Sequence, residues 1–387
     1  MAEVTVQIIR SFRYDSYDVA VAFQKVAERI FGPDQFVGIR MKWWWPRSPV
    51  ASKSVTIGLD KKMKVFTGFA QIPGIGEFSI DGNIIQVVVK KSKTKIIEDF
   101  LDEVKNVLET DSIYKGKAVT SAREFMDLSH VDSGKLVYNS QIFRELNEHL
   151  WVLIEKTNDC RSDGLQIQRK VMFEGRYGTG KTMALLVTMR KAIDNGFTVF
   201  YLDPTNLSVS ESLNDMIKLA RKYRPALIAI EDFDREQRMG GNYAIEMLMI
   251  AIDGALSKDD EMLIVLTTNF KNKVAGGFQR PGRIDKTISF NIFTASDAEQ
   301  LLKTVIPERL LSPNINWSKV GDAASRMTPA FVKGIGDTAI LAARSRANSG
   351  ETPMITEEIM LSAIEGLREQ QKACEAAEQS VGFTPNR

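Results

Sequence analysis

Gly175-Arg176-Tyr177-Gly178-Thr179-Gly180-Lys181-Thr182 fits the pattern G-x-x-x-x-G-K-[ST]. Apolar Val171-Met172-Phe173 precedes the octet, and Met183 to Ile193 follows it with a helical pattern. A strand, a glycine-rich turn and a helix start in that order form a loop whose backbone N–H groups surround phosphate oxygens. The positive end of the helix adds a favourable partial charge. In such a loop Lys181 meets the β- and γ-phosphates, and the Thr182 hydroxyl ligates Mg2+. The bland alternative is a glycine-rich turn between two elements. The complete octet in its flanking context favours the phosphate loop.

The chain around the octet alternates strand and helix, as a parallel α/β sheet requires. Ala226-Leu227-Ile228-Ala229-Ile230 has the composition of a strand buried on both faces and ends in Glu231-Asp232-Phe233-Asp234. Carboxylates at the C-terminal edge of a parallel sheet face the ligand crevice. One is expected to hold Mg2+, and the next to orient or deprotonate an attacking water. Taken alone, the same residues could be an acidic surface turn. Met262-Leu263-Ile264-Val265-Leu266 is a further buried strand, ending in Thr267-Thr268-Asn269. The Asn269 amide is expected between the phosphate loop and the acidic pair, holding the water. Arg280-Pro281-Gly282-Arg283 follows. From such a loop Arg280 and Arg283 suit a neighbouring subunit's phosphate better than their own, which implies a ring. An arginine supplied this way is worth about 10³–10⁵ in rate. A surface arginine pair in a turn is the plain alternative.

After Phe290 the strands stop. Helical patterns occupy residues 295–305, 317–327, 330–347 and 356–375. The first 95 residues instead read as strands: Val4 to Ile8, Val55 to Leu59, Val65 to Phe69 and Ile84 to Val89. Turn signals at Pro73-Gly74 and Asp81-Gly82-Asn83 separate them. Val19, Ala22, Phe23, Val26 and Ile30 add one helix. A second amphipathic stripe runs through Ile96, Ile97, Phe100, Leu101, Val104, Val107 and Leu108, and a third from Ile142 to Ile154. The formal net charge of the 387 residues is +2. It conceals an imbalance: residues 1–95 carry 15 Lys and Arg against 8 Asp and Glu, and the rest carry 36 against 41.

Taken together, the phosphate loop, the acidic strand end, Asn269 in the sensor position and Arg-Pro-Gly-Arg resemble the AAA family of ATPases over roughly residues 121–370. The resemblance implies an α/β P-loop NTPase module with a five-stranded parallel sheet and a helical lid, preceded here by a small β-rich domain. The implied division is a basic N-terminal domain with a connecting helix at 1–120, a nucleotide-binding subdomain at 121–292, a lid at 293–375 and a tail at 376–387. It implies ATP and Mg2+ as cofactors, held by Gly175, Gly178, Thr179, Gly180, Lys181 and Thr182. Thr182 and Glu231 are the implied metal contacts, and Glu231, Asp232, Asn269, Arg280 and Arg283 the implied catalytic set. It also implies a homo-oligomeric hexamer or heptamer ring.

The usual acidic pair of that family is Asp-Glu; here it is reversed as Glu231-Asp232. The reversal is similar to the branch containing the mitochondrial translocase of the Rieske subunit. So are Leu248 to Gly254, Leu266-Thr267-Thr268-Asn269, and the stretch from Ile72-Pro73-Gly74 to Ile84-Ile85. That translocase begins with a transmembrane helix, and no run here approaches the ~18–20 apolar residues that span a bilayer. Val274-Ala275-Gly276-Gly277 also stands where family members carry Leu-Asp-Pro-Ala.

Threading members of the family carry an aromatic-apolar-glycine triplet after the second strand. Asp203-Pro204-Thr205-Asn206-Leu207-Ser208 has neither aromatic nor glycine, so a folded protein client is the analogy drawn. Arg238 to Asn242 is a second loop that could line a pore, or an ordinary surface loop. Trp43-Trp44-Trp45-Pro46-Arg47 reads as core packing with an edge proline, or as a client, membrane-interface or nucleic-acid patch. His149 reads as a packing residue, and the lysines between Lys90 and Lys95 as a solvated helix start. With two Cys and two His, neither a disulfide framework nor a zinc motif is available.

The leading expectation is a cytoplasmic ATP-driven machine that remodels or translocates a protein. Two other readings stay open: a DNA-directed machine of the helicase-loader type, and a slow nucleotide-gated scaffold.

Overall fold

The computed structural model describes residues 4–33, 36–37, 50–202, 209–233, 260–269, 284–348 and 350–380. The tryptophan cluster, the loops at 203–208 and 238–242, residues 248–254 and 274–277, and both Arg280 and Arg283 lie outside the described residues.

The N-terminal unit is an antiparallel sheet covered on one face by helices. Strand β1 (Thr5–Ser11) leads into helix α1 (Ser16–Phe31), which Asp15 caps by accepting the Tyr17 N–H. Hairpin β2 (Ser52–Gly58) and β3 (Lys61–Phe66) forms a two-stranded sheet of its own. Strands β4 (Gly68–Ile72), β5 (Gly76–Asp81) and β6 (Ile84–Lys90) complete the four-stranded order β1-β6-β5-β4. Helix α2 (Thr94–Thr110) buries Ile97, Phe100, Leu101, Val104, Val107 and Leu108 against Val19, Ala22, Phe23 and Val26 of α1. Two residues assigned to these stripes face out instead, Ile30 at 45% and Ile96 at 39% exposure.

The strand expected over Val65 to Phe69 is two strands. The chain breaks at Thr67, just before Gly68, whose φ of 78° lies where a side chain is strained. Strand β5 carried no clear alternating signal; Phe78, Ser79 and Ile80 are all buried in succession.

The second unit is a parallel sheet. Its strands are β7 (Ala118–Thr120), β8 (Gln168–Gly175), β9 (Thr198–Leu202), β10 (Ala226–Ile230), β11 (Met262–Thr268) and β12 (Lys286–Phe290). The order is β12-β8-β11-β10-β9-β7. Six strands stand where five were expected. The added one is a three-residue edge strand, too short to show a period, and it pairs Ala118 with Val199. It lies within residues 1–120, so the large sheet draws on the segment that follows α2.

Alternation along the strands divides the core in two. Leu227 and Ala229 of β10, with Leu263 and Val265 of β11, face the helix that follows the phosphate loop. Ile228, Ile230, Ile264 and Leu266 face the other way. Both faces of the sheet are covered, as parallel sheets require.

Helix α3 (Ser140–Leu146) runs into a π-helical turn at Asn147–Trp151 and then α4 (Val152–Glu155), so the third apolar stripe is one interrupted helix. A short helix α5 (Thr157–Ser162) precedes β8, and α6 (Lys181–Asp194) follows it. Helix α7 (Val209–Ala220) lies between β9 and β10. The segment expected as a lid has four α-helices among the described residues, Ala295–Val305, Trp317–Ala324, Pro329–Arg346 and Glu357–Ser380, the last running past residue 375. No helix among the described residues is long and apolar enough to cross a membrane.

The two units share a core. Ala20, Val21, Val55 and Val65 of the N-terminal unit cluster with Leu213, Met216, Ile217 and Tyr223 beside β10. Within that apolar joint, Asp18 is 1% exposed. Its carboxylate accepts from Ser112 Oγ at 2.6 Å, Ile113 N at 3.0 Å and Tyr223 OH at 2.8 Å. Burial pushes the Asp18 carboxyl above its ordinary range, against those three donors. Arg123 holds the neighbouring Asp15 at 3.1 Å. A buried acceptor deprived of a donor costs about 1–3 kcal/mol. Tyr223→Phe, which keeps the ring, should therefore lower stability by about that amount in chemical denaturation. A loss below about 0.5 kcal/mol, the size of an ordinary surface change, would show that the joint does not depend on this bond.

Candidate nucleotide site

The site is built at the C-terminal ends of β8, β11, β10 and β9. The loop after β8 turns back on itself at Gly178 and Gly180, with φ of 75° and 93°. Neither position has room for a side chain. A Cβ on Gly178 would lie 3.0 Å from Ala330 Cβ and Thr328 Oγ1 of the lid, and one on Gly180 would lie 2.9 Å from the Tyr138 ring. The backbone is held as well. Tyr138 OH donates to Gly180 O at 2.6 Å, and Ala330 N donates to Gly178 O at 3.0 Å. Burial pushes the Tyr138 phenol up, which keeps it a proton donor. Thr179, 1% exposed, turns its hydroxyl inward onto Arg176 O at 2.8 Å. Arg176 reaches Glu375 of the last lid helix at 3.4 Å. The loop is thus gripped from both sides, by the segment before α3 and by the lid.

Lys181 begins α6 and is 5% exposed. Its Nζ donates to Gly175 O, Arg176 O and Asn269 Oδ1, each at 2.8 Å. Asn269 lies one residue beyond β11 and uses its other amide atom on the acidic pair: Nδ2 donates to Asp232 Oδ1 at 2.9 Å. The Asp232 backbone has a φ of 44°, and its N–H donates to Thr267 Oγ1 at 2.8 Å. A positive φ is uncommon for a residue with a side chain, though Asp tolerates it better than most. Here it accompanies a turn that sends the two neighbouring carboxylates to different partners. Glu231 Oε1 accepts from Thr182 Oγ1 at 2.5 Å, and Glu231 Oε2 accepts from Tyr201 OH at 2.5 Å.

Gly175, Gly178, Thr179, Gly180, Lys181, Thr182, Glu231, Asp232 and Asn269 therefore lie together. Arg280 and Arg283 are not among the described residues. Tyr138, Tyr201 and Thr267 were missed. Tyr201 was within reach of the rule applied to Glu231, since it also stands at the C-terminal edge of a strand. Tyr138 had no local signal, because its partner is 42 residues away.

The donor set fits a phosphate chain with a hard divalent cation. A buried ammonium, a cramped glycine loop and a helix start converge on one point. A hydroxyl and a carboxylate 2.5 Å apart are the oxygen ligands that Mg2+ takes alongside phosphates and water. No group of three or more His, Cys, Asp and Glu residues able to hold a metal exists among the described residues.

Comparison with known proteins agrees with this geometry. Residues 171–292 match the family described as ATPase family associated with various cellular activities (AAA). The chain is similar to the ATP-dependent zinc metalloprotease FtsH of Metamycoplasma arthritidis, at 24% identity over 242 residues, which is 57% of this chain and 31% of that protein. It is 24% identical to FtsH of Akkermansia muciniphila over 52% of this chain and 27% of that protein. FtsH of Acholeplasma laidlawii is 27% identical over 47% of this chain and 30% of its own length. The match thus spans less than a third of each of these relatives. The residues that match the family model include the phosphate loop, the acidic pair and Asn269.

Proposed function

We propose that this chain is a Mg2+-dependent ATPase that assembles into a hexamer or heptamer ring and couples hydrolysis to remodelling or translocation of a protein client. The observation that carries the reading is the hydrogen-bonded relay from Lys181 through Asn269 to Asp232, beside the separate Thr182–Glu231 pair. It supports one site with two tasks, phosphate and metal binding on one side and water activation on the other.

In this reading the loop N–H groups and Lys181 bind the β- and γ-phosphates of ATP. Thr182 and Glu231 hold Mg2+, which when bound offsets negative charge on the phosphate oxygens. Asn269 and Asp232 orient a water in line with the γ-phosphorus. The water oxygen bonds to phosphorus, the bond to the β–γ bridging oxygen breaks, and Asp232 receives the water's proton. ADP and inorganic phosphate are the products. Arg280 and Arg283 act on a neighbour's γ-phosphate.

In this reading the chain divides into 1–120, 121–292, 293–375 and 376–387, with the edge strand β7 tying the first part to the second. The reversed Glu231-Asp232 order and the absence of an aromatic-glycine triplet in residues 203–208 support a place near the Rieske-translocase branch and a folded client. The similar FtsH proteins are named as ATP-dependent and as zinc proteases. Only the first property is carried over, on the phosphate loop and the acidic pair that lie within the matched residues.

Two substitutions test the site. Lys181→Ala should abolish detectable ATP binding by equilibrium titration. Asp232→Asn should leave ATP affinity within a few-fold while steady-state turnover falls by about 10²–10⁴, the usual worth of a general base. Unchanged turnover in Asp232→Asn would refute its role as the group that activates water.

A further inference from the structure

Tyr201 is the next-to-last residue of β9, paired with Ala229 of β10. Its neighbours Phe200 and Leu202 point into the core shared with the N-terminal unit. By strand alternation the Tyr201 ring falls on the opposite face, packed against the core that holds α6. From there its hydroxyl reaches Glu231 Oε2 at 2.5 Å, while Thr182 holds Glu231 Oε1 at 2.5 Å. Each oxygen of one carboxylate is thus held by a different hydroxyl, one from the metal-binding end of the phosphate loop and one from a neighbouring strand.

The reversed acidic pair makes this second contact consequential. A Glu in the first position has one more rotatable bond than an Asp. Its carboxylate can reach Thr182 but is not confined there by its own geometry. The next residue, Asp232, is tied separately to Asn269 and Thr267. A freely rotating Glu231 could move towards that carboxylate and the water it orients. A hydroxyl on the far oxygen removes this freedom and leaves the near oxygen facing Thr182.

We propose that Tyr201 is a positioning residue that locks the longer Glu231 arm onto the Thr182 side, so that the reversed pair keeps metal binding and water activation apart. The proposal rests on the ATPase reading above. Tyr201 acts through Glu231.

The test uses the full chain and a fluorescent ATP analogue, titrated to equilibrium in EDTA and again in Mg2+. Tyr201→Phe keeps the ring and removes only the hydroxyl. Affinity in EDTA should stay within about twofold, and the gain in affinity on adding Mg2+ should shrink roughly tenfold, as for loss of a hydrogen bond to a charged group. In a Glu231→Gln background, Tyr201→Phe should have no further effect on the Mg2+-dependent gain, because the two residues act as one unit. Glu231→Asp, whose shorter arm cannot span both hydroxyls, should show the same Mg2+-specific loss with Tyr201 intact. An undiminished Mg2+-dependent gain in Tyr201→Phe overturns the proposal. So does an equal loss of affinity with and without Mg2+, which would mark Tyr201 as a packing residue. If the unaltered chain binds no ATP at all, the ATPase reading fails first and this proposal with it.

Discussion

The site is organised around a buried cation. A Lys ammonium at 5% exposure is costly unless its donors are satisfied. Lys181 meets that demand with acceptors from two places, the carbonyls of its own loop and the amide oxygen of Asn269. Because β8, β11 and β10 are neighbours in the sheet, the same contact reaches from the phosphate loop across the end of β11 to Asp232 beyond β10. One charge therefore sets the relative positions of three strand ends. The glycine-cramped loop, with Tyr138 on one side and the lid's Ala330 on the other, keeps that charge where phosphates are expected to bind.

The other carboxylate is governed by a different set of contacts. Glu231 belongs to the hydroxyls of Thr182 and Tyr201, and Asp232 to Asn269 and Thr267. Two acids adjacent in sequence are sent to different partners by the left-handed turn at Asp232. The order Glu then Asp changes which residue has the longer arm, and the Tyr201 contact answers the added reach. Behind the site, the strand that carries both acids is backed by the N-terminal unit through Asp18, Tyr223 and the apolar residues around them. The basic first unit and the more acidic remainder, which cancel in the net charge, thus meet across a common core.

Much of the site was legible in the sequence because its parts are local. The octet from Gly175 to Thr182 states its own geometry, and β10 and β11 are unbroken apolar runs whose ends are easy to read. What escaped was set by tertiary contact. The edge strand Ala118–Thr120 is only three residues long and exists because Val199 lies beside it. The break at Thr67 sits within a run that looks like one strand. The π turn at Asn147–Trp151 leaves the apolar spacing of its helix readable while altering its backbone. Tyr138 and Tyr201 are single aromatic residues whose roles depend on partners 42 and 30 residues away.

The most direct test of the account is a three-dimensional reconstruction of the full chain with Mg2+ and a non-hydrolysable ATP analogue. The account predicts triphosphate density wrapped by residues 175–182, with Mg2+ beside Thr182 and Glu231, Asn269 and Asp232 facing the γ-phosphate, and Arg283 entering from an adjacent subunit of a closed ring. Nucleotide bound away from Lys181, or a γ-phosphate faced by Glu231 with Asp232 on the metal, would contradict it.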